Sequence, residues 1–346
     1  MSGPVSGGVW AGPGGAGGRA AHPPFDPELV PALEEAHQHS PVTVSADNLA
    51  QCRAAELDDT PSLESLAQGG ADVEERVVPG PEGAPDISLV IIRPPGAPSL
   101  PGLPGGTALP CLYHTHGGGM IMGNNRTGLD AMLGWVTNPG LIIVSVEYRL
   151  APEHPFPAGV EDCYAGLAWA ASHAAELGID PGRLIVGGGS AGGGLAAACA
   201  LMARDRGGPP LAGQMLIYPM IDDRLATEST WELDGDGIWD GTSNENAWNM
   251  LLGDQRGTEG VSPYAAPARA DNLSGLPPAY IELGSVETFR DEDLDYARRL
   301  WAAGGNAELH VWPGAYHGYD LIAPGSSLTR SALAVRLNWL RRTLYR

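Results

Sequence analysis

The sequence predicts an α/β fold: a central, mostly parallel eight-stranded sheet flanked by helices and carrying a helical lid. Three observations lead there. Short apolar runs alternate with helical stretches along most of the chain, the pattern that builds a parallel sheet with helices on both faces. A serine stands in Gly188-Gly189-Ser190-Ala191-Gly192, after the apolar run 184–186 and before an alanine-rich helical stretch. A glycine triplet, Gly117 to Gly119, lies just beyond an earlier strand.

Taken in order, residues 1–23 are a low-complexity Gly/Pro segment that buries too little apolar surface to offset its ordering entropy, so a mobile tail is expected. Residues 24–70 place Leu29, Val30, Leu33, Leu49, Leu57, Leu63 and Leu66 among charged residues, a helical pattern expected to form the first part of the lid. The β-rich runs 73–78 and 87–92 flank Pro79-Gly80-Pro81-Glu82-Gly83, which predicts an antiparallel hairpin. Short apolar strands are then expected at 109–113, 141–146, 184–186, 215–218, 279–283 and 309–312, most of them separated by helices. Ligands of such sheets bind beyond the carboxyl ends of the strands, where Ser190 lies.

The stretch 222–254 breaks this rhythm, with Trp231, Trp239 and Trp248 among Gly, Asn and Asp. It is expected to be a second piece of lid. Its tryptophans either line an acyl pocket or dock the insertion onto the body. The remainder of 71–346 reads as one catalytic domain, as the chain length allows.

Composition removes several functions. With 346 residues and a formal charge of −21, the chain offers no basic surface for phosphates, which argues against nucleic acid and anionic membranes as partners. All 20 basic residues are arginine. Without lysine there is no P-loop lysine, no lysine Schiff base and no Ser-x-x-Lys dyad, which leaves histidine as the expected base. Cys52, Cys111, Cys163 and Cys199 form no CxxC pair and are expected as buried thiols. The first 25 residues lack a basic start and an apolar core, and no apolar run approaches the ~20 residues of a membrane helix; a soluble, cytoplasmic protein is expected.

The serine pentapeptide alone is weak, because this much glycine would produce roughly 0.4 matches to G-x-S-x-G by chance. Its position between strand and helix carries the argument. A serine hydroxyl must be presented on a sharp turn where a base reaches its proton and where the helix start meets a developing oxyanion. Glycine two residues to either side permits that turn. The second motif, His116-Gly117-Gly118-Gly119, exposes backbone N–H groups with no side chain in the way of a substrate. Gly118, flanked by Gly117 and Gly119, together with the N–H of Ala191, suits an oxyanion hole. His116 is expected to brace the loop. A glycine-rich turn without chemical purpose is the alternative.

With these motifs in place, the chain resembles the bacterial hormone-sensitive-lipase-like, or family IV, esterases of the α/β-hydrolase fold. The resemblance spans about residues 70–345. It rests on the glycine loop, on Tyr148-Arg149-Leu150-Ala151-Pro152-Glu153-His154-Pro155-Phe156-Pro157-Ala158, on the nucleophile segment and on the carboxy-terminal acid and histidine segments. One departure is Gly189, where the family usually has an acidic residue or, in one branch, a threonine. It bears on subfamily and substrate rather than on the reaction.

The resemblance implies an acid in the loop after strand 279–283. Glu287, in Gly284-Ser285-Val286-Glu287-Thr288-Phe289-Arg290-Asp291-Glu292, stands where the family usually has aspartate, with Asp291 as the rival. It implies a base at His317, in Pro313-Gly314-Ala315-Tyr316-His317-Gly318-Tyr319; His310 and His114 fall within or at the end of strands. Arg149, Glu153 and Asp162 are expected to form a structural ion network.

The implied activity is hydrolysis of short- to medium-chain carboxylic esters: Ser190 attacks, His317 moves the proton, and Glu287 orients the imidazolium. No metal or cofactor is implied, the partner is a small ester, and a homodimer is plausible from the family. Lactone, carbamate or amide substrates are alternatives. So is ligand binding without turnover, as in the plant gibberellin receptors, which resemble this family but lack the histidine that is present here.

Overall fold

The computed structural model describes residues 22–96 and 108–345, so the expected tail at 1–23 lies almost wholly outside the described residues. Among the described residues three helices come first, α1 (Val30–His39), α2 (Leu49–Asp59) and α3 (Leu63–Gln68). The hairpin β1 (Asp72–Val78) and β2 (Ile87–Arg93) follows, antiparallel and in register from Asp72 opposite Arg93 to Val78 opposite Ile87. The alternating part is β3 (Leu109–Thr115), α4 (Leu129–Thr137), β4 (Ile142–Val146), α5 (Ala158–Ser172), α6 (Ala174–Leu177), β5 (Ile179–Gly189), α7 (Ala191–Asp205) and β6 (Gly213–Ile217). An insertion carries α8 (Ser229–Glu232) and α9 (Gly241–Leu252). The chain then completes β7 (Ala279–Gly284), α10 (Arg290–Ala302), β8 (Ala307–Trp312), α11 (Tyr319–Ile322) and α12 (Ser327–Leu344).

The eight strands form one sheet in the order β1-β2-β4-β3-β5-β6-β7-β8. β2 runs antiparallel to β1 and β4; β3 to β8 are mutually parallel. From β3 the chain passes to β4 on one side and then to β5 on the other. Crossovers that leave in opposite directions open a crevice beyond the carboxyl ends of the two strands. The glycine loop leaves β3 and Ser190 leaves β5 at that crevice.

β5 is longer than the apolar run predicts. Gly187, Gly188 and Gly189 pair with Met215, Leu216 and Ile217 of β6, so ladder hydrogen bonds hold residues of poor strand propensity. At its other end Ile179 pairs with Leu109, and the register shifts before Cys111 meets Leu184, which accommodates Asp180-Pro181-Gly182. α7 is buried from Ala191 to Ala203, which explains its glycine and alanine content. A Cβ on Gly194 would lie 2.1 Å from the Met220 carbonyl oxygen, so only a helix of small residues can sit this close to the end of β6.

The amino-terminal helices reach over the carboxyl end of the sheet. Asp26 N–H donates to the Gly314 carbonyl, and Tyr316 Oη donates to that of Leu29, tying this segment to the loop that bears His317. Val44 N–H donates to Ser243 Oγ, and Thr43 Oγ1 to Asp240, linking it to α9. The ion network differs from expectation. Arg149 grips Asp162 as expected, but Glu153 pairs with Arg53 of α2, which also donates to the carbonyls of Ile121 and Ala151. The reason is tertiary: α2 supplies a guanidinium that the local motif could not reveal. The four cysteines are buried free thiols. No helix of the described residues is long and apolar enough to cross a membrane.

Candidate active site

Ser190 occupies φ 59°, ψ −127°, a strained conformation for a residue with a side chain. Neighbouring strands hold it there. Its N–H donates to the Ile217 carbonyl of β6, and its own carbonyl accepts from Met220 and Gly194. The flanking glycines have a physical cause: a Cβ on Gly188 would sit 2.2 Å, and one on Gly192 2.0 Å, from the Thr115 carbonyl oxygen. The elbow can approach β3 only if both positions lack side chains. Thr115 Oγ1 then donates to the Gly192 carbonyl at 2.7 Å.

His317 and Glu287 converge on this serine. His317 Nε2 lies 2.9 Å from Ser190 Oγ, and its Nδ1 lies 3.1 and 3.0 Å from the two carboxylate oxygens of Glu287. A carboxylate accepts only, so the tautomer with hydrogen on Nδ1 is favoured, which leaves Nε2 free to accept the serine proton. All three groups are buried, which strengthens each hydrogen bond. Phe289 N–H donates to Glu287 Oε1 at 3.2 Å and helps fix the carboxylate.

Asp291, the rival acid, is not at the imidazole. It accepts from Ser229 N–H and pairs with Arg290 in the first turn of α10, where a carboxylate suits the helix dipole. Burial pushes His114 down to about 4 and His116 down to about 3, so both rings are neutral at working pH. His114 bonds Ser145 inside the sheet; His116 bonds the Gly117 carbonyl and stacks on Tyr148 with ring centroids 4.0 Å apart, bracing the loop. His310 pairs with Glu308 along β8.

The glycine loop lies directly beside the nucleophile. A Cβ on Gly117 would be 3.2 Å from the Gly189 carbonyl oxygen and 3.6 Å from Ser190 Cβ. Gly118 has φ 102°, and a Cβ there would strike the Met122 carbonyl at 2.3 Å. Gly119 has φ 61° and is covered by the indole of Trp239. The loop thus lies against the turn that carries Ser190, and Ala191 is the first residue of α7.

Sequence reasoning missed the walls around the imidazole. Tyr218 and Phe289 flank His317 edge-on, with ring centroids at 4.7 and 5.2 Å. Phe289 stands two residues after Glu287, a spacing that offered some signal; Tyr218, at the end of β6, offered none. Of the three tryptophans, Trp248 is wholly buried, while Trp231 Nε1 donates to the Leu225 carbonyl within the same insertion. Trp239 lies between the glycine loop and the acid loop, and its carbonyl accepts from Thr288 Oγ1.

A cleft of about 600 Å³ opens elsewhere, near Arg53, Glu56, Glu147 and Asp162, and none of the residues above named as nucleophile, base or acid lines it. Among the described residues, no group of three or more His, Cys, Asp or Glu side chains could hold a metal ion.

The comparisons with known proteins bear on the family. Residues 112–321 match the model of a family described as alpha/beta hydrolase fold. The chain is 36% identical over 309 residues to the carboxylesterase NlhH of Mycobacterium tuberculosis, covering 87% of this chain and 92% of that one. Among solved structures it is similar to a bacterial heroin esterase, with TM-score 0.82, 36% identity and 92% and 98% of the two chains covered. It is also similar to esterase LipW from Mycobacterium marinum, with TM-score 0.81, 33% identity and coverage of 94% and 99%. Fold, strand order and relatives agree, and the chain belongs to the hormone-sensitive-lipase-like esterases of the α/β-hydrolase fold.

Proposed function

We propose that this carboxylesterase cleaves short- to medium-chain acyl esters through an acyl-enzyme formed on Ser190. The observation that carries the reading is the hydrogen-bonded line from Ser190 Oγ through His317 to Glu287. In this scheme His317 Nε2 takes the serine proton as Oγ attacks the ester carbonyl, and Glu287 balances the imidazolium. The proton then goes to the departing alkoxide. Water then attacks the acyl carbonyl as His317 takes its proton, and that proton passes to Ser190 Oγ as the C–Oγ bond breaks and the carboxylic acid leaves. Amides of Gly117, Gly118, Gly119 and Ala191 receive the oxyanion, each useful donor contributing about 3 kcal/mol to the transition state.

The preference for modest acyl chains is supported by how closely the site is covered. Ser190 is only 9% exposed, and the Trp239 indole presses on Gly119. We infer that residues 24–70 and 222–254 act together as the lid, which their mutual hydrogen bonds at Val44 and Asn246 favour. Hydrolysis of p-nitrophenyl esters from acetyl to palmitoyl by the unaltered protein and by Ser190→Ala tests the reading. Turnover that peaks at short chains and disappears in the variant is expected. Turnover surviving without Ser190 would overturn it.

A further inference from the structure

His317 is fixed by more than its two hydrogen-bonding partners. The ring of Tyr218 stands edge-on to the imidazole at 4.7 Å, with an interplanar angle of 63°, and Phe289 stands edge-on to it at 85°. A shift of the imidazole toward either ring requires that ring to yield. Phe289 is wholly buried beside the acid loop. Tyr218 is held in a different way.

Tyr218 directly follows β6 and has φ 36°, a strained value for a residue with a Cβ. Two anchors hold it there. Its N–H donates to the Glu282 carbonyl of β7 at 2.6 Å, and its hydroxyl donates to Asp320 Oδ1 at 2.7 Å. Asp320 lies three residues after His317, in α11. Its other oxygen accepts from Arg336 Nη1 of α12 at 2.7 Å, and the same guanidinium bonds Glu282 of β7. Tyr280 and Tyr319 also donate to Glu282.

Burial alone would raise the Asp320 carboxyl, but the Arg336 guanidinium and the Tyr218 hydroxyl outweigh it and hold the group below the usual range. The acceptor for Tyr218 is therefore a fixed anion, and a hydrogen bond to a charged partner is stronger and better aligned than a neutral one. The neighbour on the nucleophile side fits the same arrangement. A Cβ at Gly189 would lie 3.3 Å from Tyr218 Cε2, so the bare glycine before the serine leaves the ring its place.

We propose that Tyr218, pinned through Asp320 to Arg336, is a positioning residue that sets the orientation of His317 toward Ser190. The inference rests on the assignment of His317 as base to Ser190 made under Proposed function. The carboxy-terminal helix thereby enters the catalytic geometry although none of its side chains touches the reacting atoms. A strained backbone at Tyr218 is retained because the strand on one side and the ion network on the other over-determine it.

The test compares Tyr218→Phe, Asp320→Ala and Asp320→Asn with the unaltered protein. Two readouts are used, steady-state hydrolysis of p-nitrophenyl acetate per titrated site and the rate of covalent labelling of Ser190 by a fluorophosphonate. Tyr218→Phe and Asp320→Ala are expected to lower kcat about tenfold with KM held within twofold, and to slow labelling in proportion. Asp320→Asn keeps one acceptor oxygen for the hydroxyl but loses the charge and the second oxygen that holds Arg336, and should recover part of the loss. Labelling and kcat unchanged in Tyr218→Phe and Asp320→Ala would overturn the proposal, as would equal losses in Asp320→Asn and Asp320→Ala. Labelling of the unaltered protein without ester turnover would sink the esterase reading alone, while slower labelling in the variants would still support the positioning role.

Discussion

Glu287 offers both of its carboxylate oxygens to Nδ1 of His317, at 3.0 and 3.1 Å, although it is one methylene longer than the aspartate usual in the family. Phe289 N–H also holds Oε1. Glu287→Gln should retain the shape of the site yet favour the wrong tautomer of the imidazole, lowering kcat by about 10³ to 10⁴. Glu287→Asp should lose less, about tenfold to a hundredfold, because the shorter side chain no longer spans the gap. Active-site-titrated kcat for both variants checks the order; equal activity in all three proteins would remove Glu287 from the mechanism.

Gly192 and Gly189 should respond differently to a methyl group. Gly192→Ala places a Cβ 2.0 Å from a backbone carbonyl oxygen of β3, which cannot move without the sheet, and a loss of about 3 kcal/mol is expected in urea unfolding. Gly189→Ala meets only the edge of the Tyr218 ring at 3.3 Å, so its unfolding midpoint should change little while kcat falls. If Gly189→Ala lost stability and kept its kcat per active site, the ring would not be the neighbour that matters.

Trp239 is the residue whose removal should widen the acyl range. Its indole roofs Gly119, and its backbone is tied to Thr288 beside the acid. Trp239→Ala should shift the preferred p-nitrophenyl ester by two or more carbons toward longer chains, with kcat/KM for the longer esters rising about tenfold relative to acetate. That is the scale of one or two methylenes in an apolar pocket. An unaltered chain-length profile would mean that the acyl chain runs elsewhere.

Glu56 in α2 should make stability depend on pH. Burial raises its carboxyl to about 7, against the smaller effect of a hydrogen bond from Thr127. Because the folded state holds this proton more tightly than the unfolded chain, the favourable contribution is fully present below about 4.5 and is lost as pH rises through about 7. Glu56→Gln mimics the protonated form. Its thermal midpoint should match that of the parent at pH 4 and exceed it at pH 8, by an amount equivalent to roughly 1 to 3 kcal/mol. A difference of the same size at both pH values would show that the carboxyl is not titrating.

Much of the fold was legible in the sequence, because the strands of a buried parallel sheet must be apolar along their length and the helices between them must be amphipathic or small. The hairpin followed from its turn residues and matched its expected range almost to the residue. β5 was only half legible, since its last three residues are glycines that become strand only when β6 pairs with them. The elbow was legible through context, but the reason for its glycines was not: it is the Thr115 carbonyl, which lies 73 and 77 residues earlier in the chain.

The sequence by itself determined the chemical components: a serine at a strand-to-helix turn, a glycine loop, a carboxylate and a histidine in an order that fits one family. Each is encoded by residues adjacent in the chain, where turn chemistry and periodicity act. The tertiary structure alone decided which of Glu287 and Asp291 meets His317, since both precede or open the same helix and only folding brings Glu287 to the imidazole. It also decided that Arg53 rather than Arg149 takes Glu153, and that Tyr218 and Phe289 enclose the base. These outcomes depend on contacts between residues 28 to 127 positions apart, which no local pattern encodes and which only the packing of strands and helices creates.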